Sequence, residues 1–427
     1  MKKIIVLLVC LSVGNFAGLR AANDQKNKVK YEKKYTDPVL KAMEEARAKE
    51  QKFADEETQT IKKRQETEKE ARKLLDRTLQ SDLTGVYPPP APASFKSFFH
   101  FPPVAQYNTN TCWSFANTSF YESEIYRLSG KKIKLAEMWT VYHEYLEKVR
   151  RFVQERGASL VAEGGEGNAL NRIWKTYGIV PETVFPGIKA ADQKHDHARL
   201  IDEVSAYLDY VKANSLWDEQ DVLAHVTVIL NKHLGVPPQK FVYNGREMTP
   251  REFLKNETSL NMDNYLDVMS TSYFPFYTSQ EFMVPDNWWH SKDYLNLPLD
   301  EWYGLIVKAV KAGYTVGIGG DVSEPGKLGF QDVCFIPSFD IPQQYINQDS
   351  REYRIDNKTT DDDHGIHLVG YTRYKGHDWF LIKDSGRSAR WGKHEGYYFF
   401  RGDYIKLKML TFTVHKDILK NILPKVK

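Results

Sequence analysis

The spacing of apolar residues changes along the chain, and this change predicts helices first and strands later. Over much of residues 112–312, apolar side chains recur every three or four positions, which is typical of helices that bury one face. From about residue 314 onward, shorter runs rich in β-branched and aromatic residues alternate with turns, which predicts strands. The predicted helices cover 112–128, 135–153, 168–177, 200–211, 218–232 and 299–312, and the predicted strands cover 314–318, 367–374, 379–383, 396–400 and 409–414.

This order of elements favours the fold class α+β over a series of βαβ units. We expect one large domain over residues 95–427, with a large insertion at about 190–300, where the helical signals are mixed with irregular sequence.

A strongly charged segment precedes the predicted domain. Between Lys41 and Arg77, 21 of 37 residues are charged and glycine and proline are absent, which predicts a helix. Its apolar residues are too sparse for a coiled-coil seam. The proline-rich stretch from Tyr87 to Pro92 then acts as a stiff connector. Residues 23–94 are therefore predicted to be a charged helical arm with a proline-rich linker, and a solvated spacer, a pro-segment and a docking arm all fit this pattern.

Residues 1–22 have the layout of a secretory signal peptide. Two lysines are followed by an apolar run from Ile4 to about Leu19, and small residues follow at Ala21 and Ala22. The run is shorter than the roughly 20 residues that a membrane-spanning helix needs. We therefore expect an exported protein, periplasmic or extracellular and of bacterial type, without stable membrane insertion after removal of the signal.

The composition is that of a globular protein, and it excludes several classes of function. Hydrophobic residues make up 41% of the 427 residues, which provides enough apolar material for a large core and excludes a disordered or collagen-like chain. The formal net charge of only +3 gives no general field for nucleic acid, so we expect no nucleic-acid partner. Three cysteines are too few for a disulfide framework. Outside the predicted signal peptide only Cys112 and Cys334 remain, and we interpret Cys334 as a core thiol.

The strongest local signal for chemistry surrounds Cys112. This residue is predicted to open a helix after a turn of small polar residues, and the unpaired N–H groups of a helix N-terminus stabilise a thiolate. A thiolate attacks carbonyl carbons, and the oxyanion that forms needs hydrogen-bond donors. The side-chain amide of Gln106 and the backbone N–H of Cys112 are the candidate donors. Taken alone, Cys112 also fits a small buried hydrophobic residue.

A cysteine nucleophile requires a base that a third group orients, and the C-terminal strands provide both. His364 stands at the start of one predicted strand and Asp384 ends the next, so Asp384 can accept a hydrogen bond from one ring nitrogen. The other nitrogen then faces the thiol. His367 is the competing histidine, but its odd spacing from His364 places it on the opposite face of the strand. A structural histidine and a turn aspartate are the alternative interpretations.

These residues resemble the papain family of cysteine peptidases, and within it the branch of bleomycin hydrolase and bacterial aminopeptidase C. Four blocks, spread over roughly residues 95–417, follow the family's order. They are Gln106 six residues before Cys112-Trp113-Ser114-Phe115, the run Glu163-Gly164-Gly165-Glu166, His364 six residues before Gly370-Tyr371, and Asp384-Ser385-Gly386 in place of Asn-Ser-Trp-Gly.

The resemblance implies a helical half and a β-rich half on either side of a cleft that holds an extended peptide. It implies a peptide or protein substrate, neither a cofactor nor a metal, and a candidate aminopeptidase that is compatible with a homo-oligomer. It assigns catalytic roles to Cys112, His364, Asp384 and Gln106, and substrate-binding roles to Gly164, Gly165 and Trp113.

The chain departs from the family's pattern at several positions. Asp384 replaces an asparagine, and a carboxylate favours the imidazolium form of its partner more strongly. The tryptophan that shields the asparagine is absent, so we expect Asp384 to be more hydrated. Gly365 follows His364 where alanine is usual, and the C-terminal arm that members of the branch place in the cleft is short. There are two alternative hypotheses: an inactive papain-like protein used for peptide binding or envelope assembly, and an enzyme that acts on cell-wall peptides.

Two further polar clusters invite comparison with metal sites. His195-Asp196-His197 and Asp361-Asp362-Asp363 have neither the HExxH frame of zinc peptidases nor the spacing of a calcium loop. We interpret both as solvated loop charges and predict no metal site.

Overall fold

A long charged helix, α1 (Pro38–Lys73), dominates the first of the two units into which the chain divides, which ends at Arg77. The computed structural model describes residues 27–190 and 192–426, so the predicted signal peptide lies outside the described residues. The carboxylate of Asp37 accepts hydrogen bonds from the first backbone N–H groups of α1, as expected of an N-cap. No residue of α1 is buried, which agrees with its charged sequence.

The second unit, Thr78–Lys427, contains the predicted helices and three that the sequence did not indicate. The buried faces of its first helices share one core, which includes Phe120, Trp139 and Trp174. The α-helices in its described residues are α2 Cys112–Ser129, α3 Glu137–Gln154, α4 Ala169–Tyr177, α5 Ala198–Ala213, α6 Glu219–Leu234, α7 Pro250–Glu257, α8 Leu299–Lys311, α9 Gln348–Asp356 and α10 Gly402–Lys408.

The strands of the second unit form one large sheet and one hairpin, which together with the helices confirm the α+β class. In the large sheet the order is β5-β6-β4-β13-β7-β10-β11-β12-β9-β8, and β1 pairs with β10. The strands are β1 Lys96–Ser97, β2 Phe241–Tyr243, β3 Arg246–Met248, β4 Tyr265–Met269, β5 Thr278–Gln280, β6 Tyr294–Asn296, β7 Val316–Gly320, β8 Lys327–Leu328, β9 Val333–Cys334, β10 His364–Tyr374, β11 His377–Lys383, β12 Tyr397–Arg401 and β13 Met409–His415.

Helix α2 lies where the helical half meets the sheet. It packs against β10 and β7 on one side and against α3 and α4 on the other. Its residues Trp113 to Ile125 are all buried, so the helix has no solvent-facing stripe until its last turn. Gly130, with a φ of 71°, ends it in the left-handed conformation that glycine adopts without strain. The N-terminus of α2, where Cys112 stands, therefore opens at the boundary between the two halves.

The sequence did not predict helix α9, because this helix has no apolar stripe. Its N-terminus is fixed by a capping box between Asn347 and Ser350, and its one fully buried side chain is Arg351. The guanidinium of Arg351 donates hydrogen bonds to three backbone carbonyls, those of Ser270, Lys406 and Leu410. A buried arginine that donates to backbone carbonyls leaves no periodic hydrophobic signal.

The proline-rich segment packs with the second unit, although we predicted it as part of a linker that ends near residue 94. Val86 and Phe95 are buried in one hydrophobic cluster with Trp379 and Leu381 of β11. The backbone N–H of Ser81 donates to the carbonyl of Pro325. The unit therefore begins before the predicted boundary at about residue 95, because apolar side chains between the prolines find a place on the sheet.

The described residues at the C-terminal end return to α8. Ile418 and Leu419 are buried in the core of the β half, and the ammonium of Lys308 donates to the carbonyl of Ile418 over 2.7 Å. Within residues 27–190 and 192–426, no helix combines the length and the apolar character needed to cross a membrane.

Candidate active site

The turn before α2 presents Cys112 at an uncapped helix N-terminus. Gln106 and Thr109 close the turn: the side-chain amide of Gln106 donates to the carbonyl of Thr109 over 2.6 Å, and the Thr109 hydroxyl donates to the carbonyl of Gln106 over 3.0 Å. Within the described chain, no side chain caps the first N–H groups of α2 at Thr111. Cys112 is partly exposed to the cavity that it lines. The thiol thus lies where unpaired N–H groups favour negative charge.

His364 and Asp384 meet because they stand on neighbouring antiparallel strands. His364 opens β10, Asp384 directly follows β11, and the pairing of His367 with Lys383 sets the register between them. The Nε2 of His364 and the Oδ1 of Asp384 are 2.7 Å apart, and the Cys112 thiol lies close enough to the ring to help raise the pKa of His364. Since Nε2 is taken by Asp384, Nδ1 is the nitrogen that faces the thiol.

The charges of this trio support one another. Burial alone would lower the pKa of His364, but the Asp384 carboxylate and the Cys112 thiol outweigh burial and raise it to about 10. In the other direction, burial would raise the pKa of Asp384, and the imidazolium of His364 holds it well below its usual range. The trio therefore favours an ionised Asp384 beside a protonated His364.

Asp384 is not hydrated, and the expectation from the missing tryptophan is wrong. Its exposed fraction is 1%, since the chain itself closes over it. The backbone N–H of Gly386 donates to its Oδ1 over 2.7 Å, and its own N–H donates to the carbonyl of Gly396 over 2.9 Å. Its Oδ2 is buried and finds no hydrogen-bond donor among the described residues. A tight turn through Gly386 thus replaces the shield that a large side chain would provide.

Gln106 joins the turn before α2 to the strand end that carries Asp384. Its Oε1 accepts a hydrogen bond from the Ser385 hydroxyl over 2.7 Å, and its backbone N–H donates to the carbonyl of Ser385 over 3.0 Å. These contacts fix which way the amide points. One hydrogen of its Nε2 is used by Thr109, and an amide nitrogen carries a second one. Gln106 and Cys112 line the same cavity, so this second hydrogen is available to an oxyanion there.

The predicted substrate-binding residues Gly164, Gly165 and Trp113 line this cavity too. The indole N–H of Trp113 donates to the carbonyl of Glu163 over 3.1 Å. A Cβ on Gly165 would lie 2.9 Å from the Trp113 ring, and one on Gly164 would lie 2.2 Å from the carboxylate of Asp286. Packing inside the protein therefore restricts side chains at both positions, against the Trp113 ring at Gly165 and against the more easily moved Asp286 carboxylate at Gly164.

His367 faces away from Cys112, as the alternation along the strand predicted. It is fully buried, and its Nδ1 is 2.8 Å from the hydroxyl of Ser119. The ammonium of Lys383 donates to the same hydroxyl over 2.8 Å. Burial, with the charge of Lys383, holds the pKa of His367 well below its usual range, so this histidine is a neutral structural residue.

Cys334 is buried in β9 as a free thiol. Burial raises its pKa well above the usual range.

The predicted solvated cluster at residues 195–197 is wrong for His197. This side chain is only 2% exposed. Its Nδ1 is 3.1 Å from the hydroxyl of Tyr145, and burial lowers its pKa to about 4. Sequence polarity did not reveal this, because the neighbouring Asp196 is exposed and gives the segment the appearance of a surface loop.

The second predicted solvated cluster, residues 361–363, is wrong for Asp362, which is partly buried in the cavity wall. Asp362 is one of several acidic residues there that the sequence analysis did not select. Among the described residues, no group of three or more histidine, cysteine or acidic side chains is placed to hold a metal ion. The acidic residues that line the cavity are Glu166, Asp267, Asp286, Asp362 and Asp363.

Comparisons with known proteins agree with this geometry. The model of the Peptidase C1-like family matches residues 42–426. Aminopeptidase C of Lactococcus lactis subsp. cremoris is 22% identical over 367 residues, which cover 74% of this chain and 81% of the relative. Aminopeptidase C of Lactobacillus helveticus is 23% identical over 380 residues, which cover 76% and 81% respectively.

The fold is also shared with a solved structure, that of PepW from Lactobacillus rhamnosis HN001. The TM-score is 0.61 at 20% identity, with 81% of this chain and 86% of that chain covered. A likeness of this extent shows the same papain-type α+β fold. The chain therefore belongs to the Peptidase C1-like family, as a papain-like cysteine peptidase of the aminopeptidase C and bleomycin hydrolase branch.

Proposed function

We propose that this protein hydrolyses peptide bonds with Cys112 as the nucleophile and His364 as its acid and base. The observation that carries the proposal is the placement of the Cys112 thiol in one cavity with His364, whose Nε2 lies 2.7 Å from the Oδ1 of Asp384. A nucleophile, a base and a group that orients the base are what thiol catalysis requires. Because the pKa of His364 is raised to about 10, the imidazole is protonated near neutral pH and can stabilise a thiolate beside it.

The first half of the reaction forms an acyl-enzyme. The Cys112 thiolate attacks the scissile carbonyl carbon, and the carbonyl electron pair moves onto the oxygen. The backbone N–H of Cys112 and the Nε2 of Gln106 donate hydrogen bonds to this oxyanion. When the C–N bond breaks, the imidazolium of His364 gives its proton to the leaving amine, and a thioester remains on Cys112.

The second half of the reaction releases the acid. His364, now neutral, takes a proton from a water molecule whose oxygen attacks the thioester carbon. The same donors hold the second oxyanion, the C–S bond breaks, and the thiolate–imidazolium pair is restored. Asp384 remains ionised throughout and keeps the His364 ring oriented, which is the role of a carboxylate in a catalytic triad.

Aminopeptidase action, export and self-association are further parts of the proposal. The names of the relatives support removal of N-terminal residues, and the signal-like pattern of residues 1–22 supports a periplasmic or extracellular location. A homo-oligomer is compatible with the branch. Size-exclusion chromatography with light scattering, and fractionation of producing cells, test the last two points.

Replacing Cys112 by alanine tests the reaction directly. We expect Cys112→Ala to lose peptide hydrolysis by a factor of at least about 10³, since no nucleophile remains. Initial rates on fluorogenic aminoacyl and peptidyl amides measure the effect, with Cys334→Ala as the control that removes the other described thiol. If Cys112→Ala kept wild-type activity, or no tested peptide were hydrolysed, the proposed function would be wrong.

A further inference from the structure

The wall of the Cys112 cavity is strongly acidic. Among the described residues, five acidic side chains line it, and no lysine or arginine does. His364 is the basic residue in this lining, and its charge is already matched by Asp384. Carboxylates in a cavity whose lining offers no free positive charge create a negative electrostatic potential, and this potential attracts cations.

Two of the five acidic residues accept hydrogen bonds within the protein. Asp363 accepts hydrogen bonds from the N–H of Val322 and from the hydroxyl of Ser323. Asp267 accepts one from the hydroxyl of Thr413. Burial raises the pKa of Asp286, and the charge of Lys148 offsets part of that rise. Asp363 and Asp267 therefore have structural roles as hydrogen-bond acceptors, and the charge of Lys148 partly balances Asp286.

Glu166 and Asp362 lack such partners. Glu166 is 4% exposed; its Oε2 accepts a long hydrogen bond of 3.3 Å from the hydroxyl of Tyr294, while its Oε1 is buried and meets no donor group of the described residues. A second carboxyl group, that of Asp362, lines the same cavity and acts on the charge of Glu166. Two interacting carboxyl groups in a buried wall favour either a proton on the pair or a cation beside it.

The pKa values of Glu166 and Asp362 reflect the same lack of hydrogen-bond donors. Burial and the neighbouring Asp362 raise the pKa of Glu166 well above its usual range. Burial also raises the pKa of Asp362 to about 7. Both shifts favour a proton on the pair, and a cationic ligand that donates to both groups would replace that proton.

We propose that Glu166 and Asp362 form a subsite that binds a cationic group of the peptide substrate. The ligand is an ammonium or guanidinium group, either the free N-terminus of the peptide or a lysine or arginine side chain. The inference rests on the proposed function, because it takes the occupant of the cavity to be a peptide.

The position of the pair fits this role. Glu166 follows Gly165, which packs on Trp113 next to the nucleophile, and Asp362 precedes His364 by two residues. The pair and the two reacting residues line one cavity. A peptide whose carbonyl lies at Cys112 would thus reach the pair with another of its groups. Charge-assisted hydrogen bonds from the ligand would then satisfy the buried oxygens of Glu166.

Equilibrium binding to the full chain carrying Cys112→Ala tests the subsite without hydrolysis. Two peptide pairs are titrated by calorimetry in EDTA at fixed ionic strength: acetyl-Lys-Ala-amide against acetyl-norleucine-Ala-amide, and Ala-Ala-amide against acetyl-Ala-Ala-amide. We expect the cationic member of at least one pair to bind about tenfold tighter or more. The pair that shows the difference identifies whether a side chain or the N-terminus is the ligand.

The same titrations on a second set of variants assign the effect to the subsite. Glu166→Gln, added to Cys112→Ala, should reduce the preference to about threefold or less, and Asp362→Asn gives an independent reading if Glu166→Gln does not fold. Glu203→Gln removes an equal charge from an exposed residue that pairs with Lys232, and should leave the preference unchanged. Equal affinities within both pairs, or a preference that survives both subsite variants, would overturn the inference. Loss of the proposed function would show separately, as an absence of Cys112-dependent hydrolysis by the native enzyme.

Discussion

Asp384 shows how a buried carboxylate is kept ionised beside a histidine. Burial disfavours its charge, but the imidazolium of His364 and the N–H of Gly386 offset that cost. The sequence predicted this contact, together with Cys112 and Gln106, because the order and chemistry of these residues form a recognisable pattern. It did not predict that Glu166 is buried in the cavity wall, because the burial of an acidic side chain depends on the strands that fold over it.

The pH dependence of catalysis should reflect the charge of Asp384. Asp384→Asn keeps an oxygen that accepts from Nε2 but removes the charge that helps to raise the pKa of His364 to about 10. We therefore expect the alkaline limb of the kcat/KM profile to move to lower pH by about one unit or more, since the imidazolium is lost earlier. The control is Asp378→Asn, which removes an equal charge near the start of β11, the strand that Asp384 follows. An unchanged alkaline limb would contradict this account of the pair.

The raised pKa of His364 also affects folding stability. A histidine whose pKa is higher in the folded state stabilises the fold fully below its ordinary pKa of about 6.5 and loses that contribution as the pH rises toward about 10. The free energy of unfolding should therefore fall between these two values in the wild type. Urea titrations at several pH values measure it, and the fall should be smaller in Asp384→Asn. An equal fall in both proteins would assign the effect to other groups.

At the scale of elements, the site depends on how closely α2, the loop before α4 and β10 approach one another. Gly165 of the loop lies against Trp113 of α2, and a Cβ on Gly365 of β10 would lie 3.1 Å from the Trp113 Cα. Helix α2 itself was predictable from its apolar residues and its terminal glycine. The loop packing and helix α9 were not, because they depend on backbone contacts and on a buried arginine that carry no periodic signal.

Adding a methyl group at Gly165, in the loop before α4, should disturb the site through Trp113. Gly165→Ala places a Cβ 2.9 Å from the indole ring, and overpacking of this kind costs about 1–3 kcal/mol. We expect a lower free energy of unfolding in urea and a reduced kcat, because Trp113 directly follows the nucleophile. Gly304→Ala, in α8 with open space around it, should be neutral or stabilising. Wild-type stability and kcat in Gly165→Ala would contradict this prediction and show that the loop shifts to accommodate the Cβ.

For the whole molecule, the reactive residues come from opposite halves. Cys112 and Gln106 belong to the start of the helical half, whereas His364 and Asp384 stand at strand ends of the large sheet. The α+β class followed from the order of helical and strand patterns. The order of strands could not be derived in the same way, because β4 and β6 join the sheet from within the predicted insertion and β13 separates them from β7.

The central claim is that this assembly activates Cys112 and leaves Cys334 inert. Mass spectrometry of the reduced, folded protein after treatment with a papain-family epoxide inhibitor tests it most directly. The account predicts one covalent adduct on Cys112, none on buried Cys334, the same single adduct in Cys334→Ala and no adduct in Cys112→Ala. A folded protein that stays unmodified, or that reacts at Cys334 as fast as at Cys112, would contradict it.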